Sequence, residues 1–540
     1  MLIFCDAFYQ NGLLNKRIEM KAQTPNYTNY AMLLIVVSAM VRGVLAGWLE
    51  LGNDEVYYRL YALYPDWSYF DHPLMVGWTI RLFSLDLLFS HEFFIRLGSV
   101  ILGSVNTWIM FLIGKNLYNA RAGWFAALLY TSSVYCFVIT GTFILPDTPQ
   151  GLFWLWSLLI MLQTLPFSPD NSNARKNFLI LGLLLGLGIL SKYTVVFLWG
   201  GTVLYLLIYN RRWLKSLYFY YALAITAVLM LPLLIWNLQN DFVSFTFHGN
   251  RVNTAGFVFR PDYFLTEIMG EFLYNNPINF VLIVLAVGVA FKGKLAADPK
   301  KTRVILLMGL PLIAVFLFFS LFRSTLPHWT APGYTTLIPL AAVWLAAKPS
   351  LKIIPGIIQS ALALLIFTLI LGMLQIRTGL IPLDSTTTYE NLGEDDPSRD
   401  MFGYREAGKV FGQIVSRDTQ TGEMLPSSFL VGNNWFPLAN YDYYAATPAN
   451  LKSMAIGTLD KIHVYAWINR AEGGFVTGND AYYITDSRDF RPPDSLMRSY
   501  FEQVIPADTI EIQRGGKSAK RIFIFQMKNL QRIPDDPLLR

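Results

Sequence analysis

Charge is scarce in this chain. Of 540 residues only 15% are Asp, Glu, Lys or Arg, against 54% hydrophobic, where a soluble protein of this size carries about 25% charged residues. A water-soluble globular fold is therefore excluded for most of the chain. Histidine and cysteine are scarcer still, at five and two. Cys5 lies in a polar N-terminal stretch and Cys136 inside a hydrophobic run, so no structural disulfide between them is expected. No Gly-rich phosphate loop or dinucleotide fingerprint stands in a strand-turn-helix setting, and there is no internal repeat or low-complexity tract. The net charge of +6 does not by itself imply nucleic acid, because membrane proteins concentrate Lys and Arg in their cytoplasmic loops.

What is abundant is apolar runs. A hydrocarbon core about 30 Å thick needs about 20 apolar residues per helix. Such runs lie near 30–49, 93–113, 121–141, 149–166, 177–191, 193–209, 216–236, 272–291, 303–322, 333–347 and 352–374. They predict a polytopic α-helical membrane protein of about eleven transmembrane helices. The two runs flanking Lys192 are short, which predicts tilted or partly re-entrant helices. The first run is longer than a signal-peptide core and lacks a small-residue cleavage site, so it is read as retained.

With residues 1–29 as a cytoplasmic tail, the inner loops collect most of the basic residues, among them Lys115, Arg121, Lys176, Arg211, Arg212, Lys300, Lys301 and Lys348. The outer loops hold only Arg59, Arg81, Lys192, Arg251, Arg260 and Arg323. This asymmetry fixes the orientation and, after an odd number of spans, places everything beyond 376 outside. Three outer segments break the helical pattern. Residues 50–92 contain a Trp- and Leu-rich stretch at 73–89 that fits an interfacial helix, residues 237–271 form a second long loop, and 323–332 a Pro-rich third. Their length and aromatic content mark them as functional rather than disordered.

Beyond the membrane domain (30–376), residues 377–402 read as a polar linker and 403–540 as a soluble extracytoplasmic α/β domain. In the latter, 403–416 forms an amphipathic helix with Ala407, Val410, Phe411, Ile414 and Val415 on one side. Strands are expected at 427–432, 461–468, 481–485 and 521–527. Glu394-Asp395-Asp396 resembles an acidic metal cluster but reads as solvated linker.

The chemistry-bearing residues gather on the outer face. Gly52-Asn53-Asp54-Glu55-Val56-Tyr57-Tyr58 opens the first outer loop with adjacent carboxylates, and a partly desolvated acid beside another holds a raised pKa suited to general base work. The plain alternative is two solvated loop acids. Trp67-Ser68-Tyr69-Phe70-Asp71-His72-Pro73 adds an acid and an imidazole, and Pro146-Asp147-Thr148-Pro149 puts an acid where it could equally be a helix N-cap. Lys192, Arg251, Arg323 and His328 are the outer-facing cations, each of which could simply snorkel. Arg251 has His248 three residues before it. His248 with Asp71 could hold a divalent cation, although five scattered histidines make no ligand motif.

The series DEVYY, DWSYFDHP, LPDTP, LSKYT and PHWTAPGY, in that order between those spans, resembles the bacterial lipid-linked-sugar glycosyltransferases of GT-C fold. These are relatives of the protein O-mannosyltransferases and of the aminoarabinose transferase that modifies lipid A (glycosyltransferase families 39 and 83). The resemblance covers about residues 25–375. It implies that Asp54 acts as base toward the acceptor hydroxyl, with Glu55 as its neighbouring partner and Asp147 lining the same cavity. It also places Asp71 and His72 beside the substrates, while Lys192, Arg251, Arg323 and His328 are candidate substrate-binding cations because a polyprenyl-phosphate leaving group needs positive charge facing it, with Arg251 favoured for its outer loop and for His248 three residues before it. Two positions depart from the pattern. His72 stands where Lys is common, which weakens a phosphate-binding role because imidazole is only fractionally charged at neutral pH, and Leu74 replaces a frequent second proline.

The resemblance implies an inverting glycosyltransferase in the bacterial inner membrane. Its donor would be a polyprenyl-phosphate sugar and its acceptor a lipid A or other glycolipid, a polysaccharide or a protein. No cofactor is required beyond the open question of a divalent ion. Two other classes compete. A transporter or flippase would place ions near the bilayer midplane, as Arg42 inside the first span does. A membrane-tethered binding or sensor protein would make the acidic first loop incidental and the outer domain central.

Overall fold

A computed structural model describes residues 25–252, 258–349, 352–384, 388–493 and 495–539. Helices α1 (Tyr27–Trp48), α2 (Asn53–Leu63), α3 (Met75–Phe83), α4 (Glu92–Leu117), α5 (Ala120–Ser132), α6 (Asp147–Thr164) and α7 (Ser172–Ile189) come first. They are followed by α8 (Val196–Tyr209), α9 (Leu217–Gln239), α10 (Val243–Val252), α11 (Pro261–Tyr274), α12 (Pro277–Phe291), α13 (Pro299–Ser320), α14 (Ala331–Ala346) and α15 (Gly356–Thr378). Each of the eleven apolar runs coincides with one of these. Among the described residues, α1, α4, α9, α13 and α15 are long and apolar enough to cross a membrane alone, and the bent pair α11 and α12 gives a sixth candidate. The other five are shorter or, like α6 and α7, begin in polar turns. The chain is a multi-pass membrane protein: α14 is buried along nearly its whole length, while Leu33, Met40 and Val44 on α1 and Ile366, Phe367 and Ile370 on α15 stand exposed, the surface that lipid would cover.

Several boundaries differ from those expected. The 121–141 run breaks at Ser133, whose backbone is extended, and continues as a π-helical turn at Tyr135–Ile139. The 272–291 run begins as a straight helix only at Pro277, because Asn276 adopts a positive φ of 68° and α11 meets α12 at 102°. Residues 237–271, expected as a long loop, are mostly helical among the described residues, as the end of α9, α10 and most of α11. Lys192, extended at φ −158°, separates α7 from the turn leading into α8. In the first outer loop α3 is short, with Trp78 and Leu82 exposed as an interfacial helix requires. It lies against α2 at Gly77, where a Cβ would come within 2.8 Å of the Tyr61 Cβ.

The C-terminal domain opens with α16 (Tyr404–Thr421), which buries Ala407, Phe411, Ile414 and Val415. Then come β1 (Phe429–Gly432), α17 (Trp435–Tyr441), β2 (Ser453–Ala455), α18 (Leu459–Ile462), α19 (Tyr465–Ala471), β3 (Ala481–Asp486), α20 (Ser495–Arg498), β4 (Phe501–Arg514) and β5 (Lys517–Leu530). The sheet order is β2-β1-β3-β5-β4, with β1 parallel to both β2 and β3 and the β5 pairings antiparallel. The strand expected at 461–468 is instead two helical turns that bury Ile462, Val464, Tyr465, Ala466 and Ile468. A short apolar run does not distinguish the two conformations by pattern alone. The long edge strand β4 was not among the expected strands; its Pro506 sits at an irregularity of the edge, where proline is tolerated.

This domain is not a tethered appendage. One continuous hydrophobic cluster runs from Leu51, Val56 and Leu60 through Tyr404, Leu438 and Tyr465. The Glu50 carboxylate accepts the Tyr404 and Arg405 backbone N–H groups at 2.9 and 3.2 Å, capping the start of α16 where the helix dipole favours an anion. Arg405 bonds Glu92 at 2.7 Å, and the Tyr444 hydroxyl accepts the Leu51 N–H at 2.6 Å. Nor is the acidic triplet wholly solvated. Glu394 and Asp395 are exposed, but Asp396 is buried against Arg514 and Arg399.

Candidate active site

The start of α2 is held by one side chain. Glu55 accepts the Gly52 N–H at 2.9 Å, and is gripped by Arg96 of α4 through two bonds of 2.7 and 2.5 Å. It also accepts the Ile144 N–H at 3.0 Å. Arg96 spends its remaining donors on the Ala46, Leu49 and Glu50 carbonyls at 2.7–3.0 Å, the open end of α1. Glu55 thus ties α1, α2, α4 and the segment leading into α6 together. It faces away from the cavity, so its part is positional: it fixes Asp54, the next residue back, and Asp147, three residues beyond Ile144.

Those two acids meet in one cavity of about 590 Å³. Asp147 is fully engaged, its Oδ2 taking the Lys192 ammonium at 2.7 Å and its Oδ1 the Tyr135 hydroxyl at 2.8 Å. Gln150 Nε2 donates to Thr194 Oγ1 at 2.7 Å and pins the Lys192 turn to α6. Asp54, by contrast, has no ion pair or side-chain hydrogen bond among the described residues. It is open to the cavity yet ringed by protein. Loss of bulk water pushes its carboxyl up to about 6, the Asp71, Glu55 and Asp147 carboxylates add to the push, and Lys192 opposes it.

Asp71 takes hydroxyl bonds from Tyr61 and, at 3.1 Å, from Tyr57, and its backbone carbonyl lies 2.5 Å from His248 Nε2. Burial, with His248 and Lys192 alongside, outweighs the pull of Asp71 and takes the His72 imidazole down to about 3. Neutral at pH 7, His72 is unsuited to hold a phosphate by charge. His248 meets a carbonyl of Asp71 while the carboxylate is occupied by tyrosines, and the described residues bring no three metal-type side chains together. The pair as placed offers an ion too few donors for a stable site.

Of the residues expected from sequence, Asp54, Asp71, His72, Asp147, Lys192, His248 and His328 line this cavity. Glu55 and Arg323 do not. Glu55 is consumed by Arg96, and Arg323 follows the end of α13, half-buried, away from the cavity. The Arg251 side chain lies outside the described residues. Arg42 is fully buried on α1 with its guanidinium 4.6 Å from the Phe137 ring centre, packed beside Gly103 and Gly141 and not on the cavity wall. The lining also has an apolar part, formed by Ile139, Val196, Phe197, Phe316 and Leu326. Sequence reasoning missed Tyr274 of α11 and, above all, Trp435 and His463 of the C-terminal domain. In the structure both follow the carboxyl ends of adjacent parallel strands, β1 and β2, the edge at which open α/β sheets bind ligands; β1 was expected and β2 was not, so sequence held a hint of Trp435 and none of His463.

A membrane-spanning helical body whose loops, together with a closely packed C-terminal α/β domain, border one cavity lined by acids and a lysine is a GT-C fold. Residues 71–236 match the dolichyl-phosphate-mannose-protein mannosyltransferase family. The chain is 28% identical over 287 residues to undecaprenyl phosphate-alpha-4-amino-4-deoxy-L-arabinose arabinosyl transferase 2 of Pseudomonas fluorescens, covering 51% of this chain and 49% of that protein. It is 22% identical over 402 residues to the lipid A galacturonosyltransferase RgtD of Rhizobium johnstonii, covering 74% and 80%. The matched stretch thus spans about half the length of the arabinosyl transferase. Its fold is that of ArnT from Cupriavidus metallidurans bound to undecaprenyl phosphate, with a TM-score of 0.62 at 16% identity over 92% of this chain and 98% of that one.

Proposed function

We propose that this protein is an inverting glycosyltransferase that moves a sugar from a polyprenyl-phosphate donor to a glycolipid of the lipid A type on the outer face of the bacterial inner membrane, with its C-terminal domain extracytoplasmic. The observation that carries the reading is the pairing, across one cavity with an apolar wall, of an unengaged acid with a raised pKa and a lysine held by a second acid. The relatives, an undecaprenyl-phosphate-dependent arabinosyl transferase and a lipid A galacturonosyltransferase, support both substrate classes.

In this reading the lipid tail lies along Val196, Phe197 and Phe316. Lys192 has three donors and gives one to Asp147, leaving two for the donor phosphate. The acceptor hydroxyl oxygen attacks the anomeric carbon while Asp54 takes its proton. The bond from that carbon to the phosphate oxygen breaks, and its electron pair stays on the phosphate, where the ammonium stabilises the growing charge. Attack opposite the leaving group inverts the anomeric centre. Asp147 keeps Lys192 aimed and charged, and Tyr135 fills its other oxygen.

The test is transfer by purified full-length protein in detergent from labelled undecaprenyl-phosphate sugars to extracted envelope lipid, read by mass spectrometry as the gain of one sugar. Single-sugar addition is expected for at least one donor. Wild-type protein that transfers from none of a panel of pentose, uronic acid and hexose donors would overturn the reading.

A further inference from the structure

The cavity is closed on one side by the soluble domain. Trp435 begins α17 just after β1, and His463 follows β2 in a strained positive-φ conformation of 50°. Their rings stack at 5.6 Å and 19°, Trp435 leans on Tyr57 at 4.9 Å, and His463 packs on Phe70 at 4.5 Å. Trp435 remains only half-buried, and both residues border the cavity. Tyr57 is one helical turn beyond Asp54, on the same face of α2, so this aromatic rim stands on the side of the unengaged acid. The apolar wall suited to a lipid tail is built by other elements, α8 and α13.

We propose that Trp435, with His463 behind it, is the platform on which the saccharide of the acceptor packs beside Asp54, so that the C-terminal domain is half of the acceptor site and selects a sugar over a polypeptide. This rests on the transfer reading above. An indole presents a broad, electron-rich apolar face to the C–H groups of a pyranose while the sugar's hydroxyls stay free for polar partners. Tyr57 and Tyr58 line the same cavity. The position of Trp435 at a strand's carboxyl end gives the ring a rigid base, since β1 is the central parallel strand and is fully buried.

The test uses full-length protein in detergent and two probes, a deacylated β-1,6-linked glucosamine disaccharide bisphosphate and a Ser/Thr-rich peptide, with affinity measured by calorimetry. The disaccharide should bind wild type in preference to the peptide, and Trp435→Ala should weaken it by roughly tenfold, the scale of losing an aromatic anchor. Trp435→Phe should recover most of the loss, and Trp467→Phe, at the domain seam against Trp236, should match wild type. Equal disaccharide affinity in wild type and Trp435→Ala, preference for the peptide, or no disaccharide binding by wild type would each overturn the inference. In the transfer assay, an unchanged acceptor KM in Trp435→Ala sinks this inference and leaves the transferase reading standing. Disaccharide binding through Trp435 by a protein that transfers no sugar does the reverse.

Discussion

Asp54 and Asp147 open two helices that face one cavity, and their surroundings are opposite. Around Asp147 every acceptor is used, by Lys192 on one oxygen and Tyr135 on the other. Around Asp54 the described residues supply like charges and no partner. A carboxylate whose bonds are already made serves best to hold a cation, whereas one that is crowded by other acids and left unbonded is the one prepared to take a proton. The proposed roles of the two acids rest on this difference, and each prediction below presses on it.

The largest effect is expected where both acids are anchored. Glu55→Gln keeps the volume but leaves Arg96 buried without its anion, which should cost about 3–5 kcal/mol and lower the thermal midpoint in detergent markedly. An unchanged midpoint would show that α2 and the segment before α6 are positioned by other contacts. Next, Lys192→Gln removes the cation that Asp147 holds. The KM for the donor should rise by the equivalent of about 1.5–3 kcal/mol, the scale of a charged hydrogen bond, whereas an unaltered donor KM would move the phosphate to Arg251, His328 or the backbone.

A subtler contrast lies in pH. Asp54 must be ionised to accept a proton, so transfer should rise through an acid limb with its midpoint near the carboxyl's value of about 6 and fall about tenfold per unit below it. A limb centred near 4 would mean that Asp54 is not the base or not desolvated. The smallest effect is on stability. Because the folded-state pKa of Asp54 is raised, ionisation disfavours the folded state, so Asp54→Asn should raise the thermal midpoint slightly above pH 6 and make no difference near pH 3.5, where both states carry the proton. A midpoint lowered at pH 8 would imply a stabilising partner for the charge.

The membrane half of this site was legible because its signals are periodic or local. Each apolar run became a helix, and the short motifs carrying Asp54, Asp71, Asp147 and Lys192 lie at helix ends or breaks, where local sequence dictates geometry. The division of the two adjacent carboxylates into base and neighbour came from the resemblance, since nothing local to the pair marks which one is consumed. Asp54 and Glu55 look alike until Arg96, 41 positions on, is known to reach back. Arg251, singled out by its outer loop and by His248 three residues before it, has its side chain outside the described residues. The roof was illegible for the same reason at greater range. Trp435 and His463 come beside Tyr57 only through a domain seam built by Glu50, Glu92, Arg405 and Tyr444, and no periodicity links residues so far apart. The 461–468 segment was read as a strand from its β-branched and aromatic residues, which hid that it delivers His463.

The central claim, that the unbonded acid is the catalytic base, is met most directly by comparing Asp54→Asn with wild type in the reconstituted transfer reaction at pH 8, with the thermal midpoint measured on the same preparations. The amide keeps the size and much of the hydrogen-bonding capacity of the acid but cannot accept a proton. The account predicts a protein at least as stable as wild type whose turnover falls by about 100-fold or more. A stable Asp54→Asn protein with full transfer activity would contradict it.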